Sequence, residues 1–134
     1  MTTSIELLRP AGLVQSPAFS HVAVIPPGAT QIHIGGQNGV DGEGRLVGTD
    51  VVAQVEQTMA NLQTALEAAG AAMADLVSLT VLLVEGADLL AGYRAAARQL
   101  ATGDRAPLVT AAIVRGLGVP GALVEVSAVA AVVR

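Results

Sequence analysis

The chain has 134 residues, 52% of them hydrophobic and only 13% charged, with seven arginines, no lysine, no cysteine, eleven carboxylates and a net charge of −4. Such a length holds one domain, 1–134, and such a composition excludes disorder; the missing lysine excludes Schiff-base and P-loop chemistry, and the missing cysteine excludes disulfides, thiolate nucleophiles and thiolate metal sites. With an acidic balance and only two aromatics, Phe19 and Tyr93, the chain offers a nucleic acid neither charge neutralisation nor stacking platforms, so no nucleic-acid partner is expected.

A mean hydropathy of +0.61 supplies more apolar side chain than one small core needs, which points to an oligomer. With Glu6 and Arg9 near the start no secretory leader is expected, and Pro17, Pro26 and Pro27 interrupt the long uncharged stretch that follows. No membrane span is expected, and the cytoplasm is the expected location.

In chain order, His21 to Ile25 and Gln31 to Ile34 are β-prone runs separated by Pro26, Pro27 and Gly28, which predicts a hairpin. Asn38 to Gly44 (NGVDGEG) reads as a surface loop. Thr49 is the expected N-cap of a helix whose apolar stripe is Val52, Val55, Met59, Leu62, Leu66 and Ala69. Gln54, Gln57, Asn61 and Glu67 fall off that stripe, and Gly70 stops the helix. Asp75 to Val84 predicts a central buried strand. Asp88 caps a second helix to about Leu100, with Leu89, Leu90, Tyr93, Ala97 and Leu100 on one side and Arg94 and Arg98 outside.

Strands over Leu108 to Val114 and Leu123 to Val133 close the chain around a loop holding Gly116, Gly118, Pro120 and Gly121. The fold class is therefore α+β in the order ββαβαββ. In the last strand Val124, Val126, Ala128, Ala130 and Val132 form an apolar floor for both helices, and Glu125 sits on the other face with Leu123, Ser127 and Val129.

His21 and His33 have no further histidine or carboxylate cluster to complete a coordination sphere, so no metal is expected. Ser20 beside His21 cannot form a nucleophile–base pair, because neighbours on a strand point to opposite faces. Gly35, Gly36, Gln37, Asn38 and Gly39 read either as a strand end and turn, or as backbone that a ligand approaches closely. Glu125 is the sharpest candidate. It reads equally as a group that orients a water or shuttles a proton, and as a structural carboxylate pairing with an arginine across a subunit contact.

Taken together, GGQ after the second strand, QVEQTMANLQTALEAAG from Gln54 to Gly70, LVSLTVLLVEGADL, and VPGALVEVSAVA ending at Ala130 closely resemble the Rid family, also called the YjgF type. The resemblance implies a chorismate-mutase-like α+β fold, a mixed sheet backed by two helices, assembled as a homotrimer with small-molecule pockets between subunits and no cofactor. For the family's deaminase branch it also implies hydrolysis of enamines and imines derived from amino acids to keto acids and ammonia. There an arginine on the fifth strand grips the substrate carboxylate and a glutamate on the last strand positions water.

Carried over by motif, that glutamate is Glu125. Where the deaminase branch reads PARS or PART, this chain reads Arg105, Ala106, Pro107, Leu108, Val109, Thr110, which puts Leu108 in the arginine's place. Phe19 replaces a tyrosine, Tyr93 stands where asparagine is frequent, and Gly35 with Gly36 fills the pocket-lining SGQ segment. Losing a bidentate guanidinium removes the main anchor for an anionic ligand. The resemblance therefore implies a trimer that binds a small, less anionic metabolite. The alternatives are a deaminase in which Glu125 works with Arg105 or with the amides near Gly35 and Gly36, and a non-catalytic interaction scaffold.

Overall fold

The structure, a computed structural model, describes residues 4–134. The strands are β1 (Glu6–Leu8), β2 (Val22–Val24), β3 (Thr30–Gln37), β4 (Leu76–Val84), β5 (Leu108–Val114) and β6 (Val124–Val132), and the helices are α1 (Val51–Ala68) and α2 (Leu89–Ala97). Four strands form one sheet in the order β3-β6-β4-β5, and β1 pairs with β2 in a separate ribbon. Because β3 and β4 both run antiparallel to β6, they are parallel to each other, and α1 is the crossover that joins them. Likewise α2 joins β4 to its parallel neighbour β5.

The expected α+β fold with two helices on a mixed sheet is the one observed. The predicted hairpin is not. Its first arm is β2, which pairs with β1 through Glu6↔Val24 and Leu8↔Val22, while its second arm is β3, whose partner is β6. The turn chemistry at Pro26 to Gly28 is local, but the choice of strand partner is not. Strand β1 was not anticipated, so the order is βββαβαββ.

Asp50 rather than Thr49 caps α1, accepting a hydrogen bond from the Ala53 amide at 3.0 Å. The end falls at Ala69 with Gly70 beyond, as expected. The buried residues of α1 are Val51, Val55, Met59, Leu62 and Leu66, together with Thr58 and Gln54. Asp88 caps α2 through the Ala91 amide, but that helix stops at Ala97, short of Leu100. It buries Gly92, Ala95 and Ala96; Leu90 and Tyr93, expected inside, are 58% and 48% exposed. Small residues let α2 approach α1 closely, which turns its larger side chains outward.

The core lies between the helices and one sheet face, where Ile34, Leu79, Leu83, Val124, Val126, Ala128 and Ala130 meet α1. The apolar floor predicted along β6 is thus in place. On the opposite, outer face Ala131 is buried near Ile5 and Leu7, while from Val129 to Glu125 no element among the described residues lies over the sheet. There the register aligns Ser127 with Thr80 and Thr80 with Thr110, and it aligns Glu125 with Leu82 and Leu82 with Ala112.

Candidate functional site

Glu125 projects from the outer face of β6, half-buried. Between the pairs Ile34↔Ala128 and Gln37↔Val126, the two glycines Gly35 and Gly36 face the single residue Ser127, which makes a β-bulge. The bulge brings β3 against the Glu125 side chain: a Cβ built on Gly36 would lie 2.8 Å from Cδ and 3.0 Å from Oε2 of that carboxylate. Gly36 is therefore bare because the carboxylate lies over it. Among the described residues Glu125 has no hydrogen-bond or ion-pair partner; the only ion pair there is Arg45 with Glu43.

This contact yields a prediction. In Gly36→Ala the obstacle is the far end of a flexible side chain, so stability should fall by no more than about 1 kcal/mol, a few degrees in melting temperature. The carboxylate itself must swing off β3, and a crystal structure of the variant would show it displaced. A large drop in melting temperature with Glu125 unmoved would contradict the assignment.

The backbone just before Glu125 is fixed by side chains from outside the sheet. The Gln54 Oε1 accepts a hydrogen bond from the Leu123 amide at 2.8 Å, while its Nε2 donates to the carbonyls of Gly48 and Gly121. Asn38 Nδ2 donates to the Val124 carbonyl at 2.9 Å, and Asn61 Nδ2 donates to the carbonyls of Asn38 and Val40. Gln54, read from the sequence as off the buried stripe, is fully buried. Its two donor hydrogens and one acceptor oxygen answer three backbone groups of two loops, which is why an amide is tolerated there. Gln54 and Asn38 escaped sequence reading as positioning residues, and the only signal was an amide close to the start of a helix with few charges.

A second group of candidates gathers at the start of β5. Leu108, half-buried, pairs with Ser78 and forms a bridge with Ser20. The Ser20 hydroxyl is buried and donates to the Ala106 carbonyl at 2.6 Å. Phe19 precedes it, and its carbonyl accepts a hydrogen bond from Arg9 Nε at 3.0 Å; the same guanidinium also bonds the Gly103 carbonyl. The segment before β2 is thereby strapped to the segment before β5. Arg105 is exposed and lines a groove of about 230 Å³ with Leu7, Asp75, Asp104 and Ala131.

Within one chain the two groups stay apart. Glu125 is in line with Ala112, four residues along β5 from Leu108 and two strands over, a separation of about 16 Å by strand spacing. Tyr93 belongs to neither group. It lies on the helix side of the sheet, at a small apolar cavity of about 60 Å³ between α2 and Val81, Leu83, Val109 and Val126. A shallow groove of about 270 Å³ lies on the outer face, lined by His33, Gly35, Ser78, Thr80, Ser127 and Val129 but not by Glu125.

Both histidines are hydrogen-bonded, His21 Nε2 to the Val14 carbonyl and His33 Nε2 to Gln31 Oε1. Among the described residues no three histidine or carboxylate side chains converge where they could hold a metal. No helix among them is long and apolar enough to cross a membrane.

A mixed sheet backed by two crossover helices, with a carboxylate on the outer face of the last strand, defines the class of domain. The family profile described as Endoribonuclease L-PSP matches residues 13–132, and the chain belongs to this family, the Rid/YjgF family. Among solved structures it is similar to the Rid-family protein YyfB of Yersinia pestis, a protein of unknown function, at 26% identity and a TM-score of 0.80 over 96% of this chain and 98% of that one. It is also similar to RidA from a Psychrobacter species, at 26% identity and a TM-score of 0.67 over 98% and 97% of the two chains. A member of the YjgF/YER057c/UK114 family from Mycobacterium tuberculosis matches at 25% identity and a TM-score of 0.65 over 96% and 100%. No curated protein sequence matches.

Proposed function

We propose that the protein is a Rid-type homotrimer with a small-molecule pocket between subunits, and that it has lost the carboxylate grip of the enamine and imine deaminases. The observation that carries this reading is the start of β5, Leu108-Val109-Thr110, a stretch without charge where the family motif puts the anchoring arginine. Arg105 is a poor substitute, because it precedes the buried Ala106 and Pro107 and lines the groove beside β1 instead.

A shared pocket is supported by the separation of Leu108 from Glu125, which only a second copy can close. Assembly is supported by the part of the outer face that no described element covers, where Leu82 and Val129 are half-buried, and by the edge strands β3 and β5, which carry no Asp, Glu, Lys or Arg. An RNA substrate is disfavoured by the net charge of −4 and the absence of lysine.

The test is a coupled assay in which an amino-acid oxidase generates an imine and release of keto acid and ammonia is followed. The wild type should not accelerate hydrolysis. Leu108→Arg should gain activity, and adding Glu125→Ala should remove it. Acceleration by the wild type that Arg105→Ala abolishes would instead establish a deaminase anchored by Arg105.

A further inference from the structure

We infer that the ligand held at Glu125 is a small protonated amine that also carries a hydroxyl group. This rests on the pocket proposed above and adds the chemistry of its occupant.

The charge at the site is one-sided. Glu125 is half-buried with no partner among the described residues, and the groups beside it, Gly36 across the bulge and Leu82 across β4, bring no charge. Within one chain the arginines are engaged or placed elsewhere. Arg9 and Arg134 donate to backbone carbonyls, Arg45 pairs with Glu43, Arg94 and Arg98 are on or next to α2, Arg105 lines the groove beside β1, and Arg115 follows the end of β5. A lone carboxylate in uncharged, partly desolvated surroundings favours a cation that donates hydrogen bonds to it and disfavours an anion.

The second, independent observation is the row of hydroxyls on the same face. Ser127, Thr80 and Thr110 are in direct register across β6, β4 and β5, and Ser78, Thr80 and Ser127 line the shallow groove on that face. Ser127 lies two residues from Glu125 along one strand, about 7 Å by strand rise. A ligand whose ammonium meets Glu125 thus presents its body to groups that both donate and accept hydrogen bonds, which matches a hydroxyl. An amine with a purely apolar body would leave those groups unanswered.

The probes are butanolamine, butylamine and hydroxybutyrate, titrated into the assembled protein and followed through the backbone amide resonances of Gly36 and Ser127. Butanolamine should saturate these shifts at a concentration at least tenfold below that of hydroxybutyrate. Glu125→Gln should weaken it roughly tenfold or more at an unchanged melting temperature, and Thr80→Val should erase its advantage over butylamine. The inference is overturned if no amine saturates, if hydroxybutyrate binds as well, or if Glu125→Gln leaves the amine unaffected. Such a failure is distinguishable from failure of the proposed function, which is decided separately by whether Leu108→Arg gains imine hydrolysis.

Discussion

Replacing Gln54 by leucine should lower the unfolding free energy by about 2–4 kcal/mol, although leucine matches the size of glutamine and is apolar. The side chain is fully buried, and its removal orphans the Leu123 amide and the carbonyls of Gly48 and Gly121 together. A buried donor left unmade costs about 1–3 kcal/mol, and the two carbonyls add to that. Urea denaturation followed by circular dichroism would read the loss as a lower midpoint at an unchanged slope. Leu123 leads directly into Glu125, so amide exchange at 121–125 should speed up more than exchange in α1. An unchanged midpoint would show that water answers these groups.

Gly39→Ala should be comparably severe for a different reason. A Cβ at this position would lie 2.7 Å from the Cα and 2.8 Å from the backbone oxygen of Gln54. Backbone cannot rotate away as a side chain can, so either α1 or the loop that begins at Asn38 has to shift. Overpacking of this kind costs about 1–3 kcal/mol and occasionally more. The shift would also strain the bonds from Asn61 to the carbonyls of Asn38 and Val40. Thermal unfolding should show a drop of about 5 °C or more for a domain of this size. A drop of only a degree or two would mean that the loop yields freely and that Asn38 does not hold Val124 in place.

The two glycine contacts contrast usefully. At Gly36 the obstacle is a carboxylate that can swing, so geometry at the site changes while stability hardly does. At Gly39 the obstacle is a helix backbone, so stability changes. The same residue type, a few positions apart, thus serves the site in one case and the scaffold in the other.

Elements whose signal is local were legible in the sequence. The repeat Val55, Met59, Leu62, Leu66 specified α1, the β-branched run ending at Val84 specified β4, and strict alternation through Val124, Val126 and Ala128 specified the buried face of β6. What was not legible depends on contacts far apart in the chain. The β2 and β3 segments looked like a hairpin because the turn between them is well formed, yet each finds a partner elsewhere. Three-residue β1 is too short to show a period. Gln54 looked solvent-facing because periodicity counts hydrophobicity, not the backbone groups that loops bring to a helix.

Of the candidate site, Glu125 stood out as a carboxylate in an apolar strand, and the family motif placed Leu108 opposite an arginine. That Gly36 makes room for Glu125 required the bulge against Ser127. That Leu108 and Glu125 lie far apart in one chain required the strand order, which places β4 between their strands.

This separation makes the central claim directly measurable, since the pocket exists only if copies of the chain complete one another. Light scattering coupled to size-exclusion chromatography at micromolar concentration gives the mass in solution. The account predicts a particle of about 40 kDa, three times the chain's 13.4 kDa. A stable 13.4 kDa species would contradict it, because Leu108 and Glu125 could then never face the same ligand.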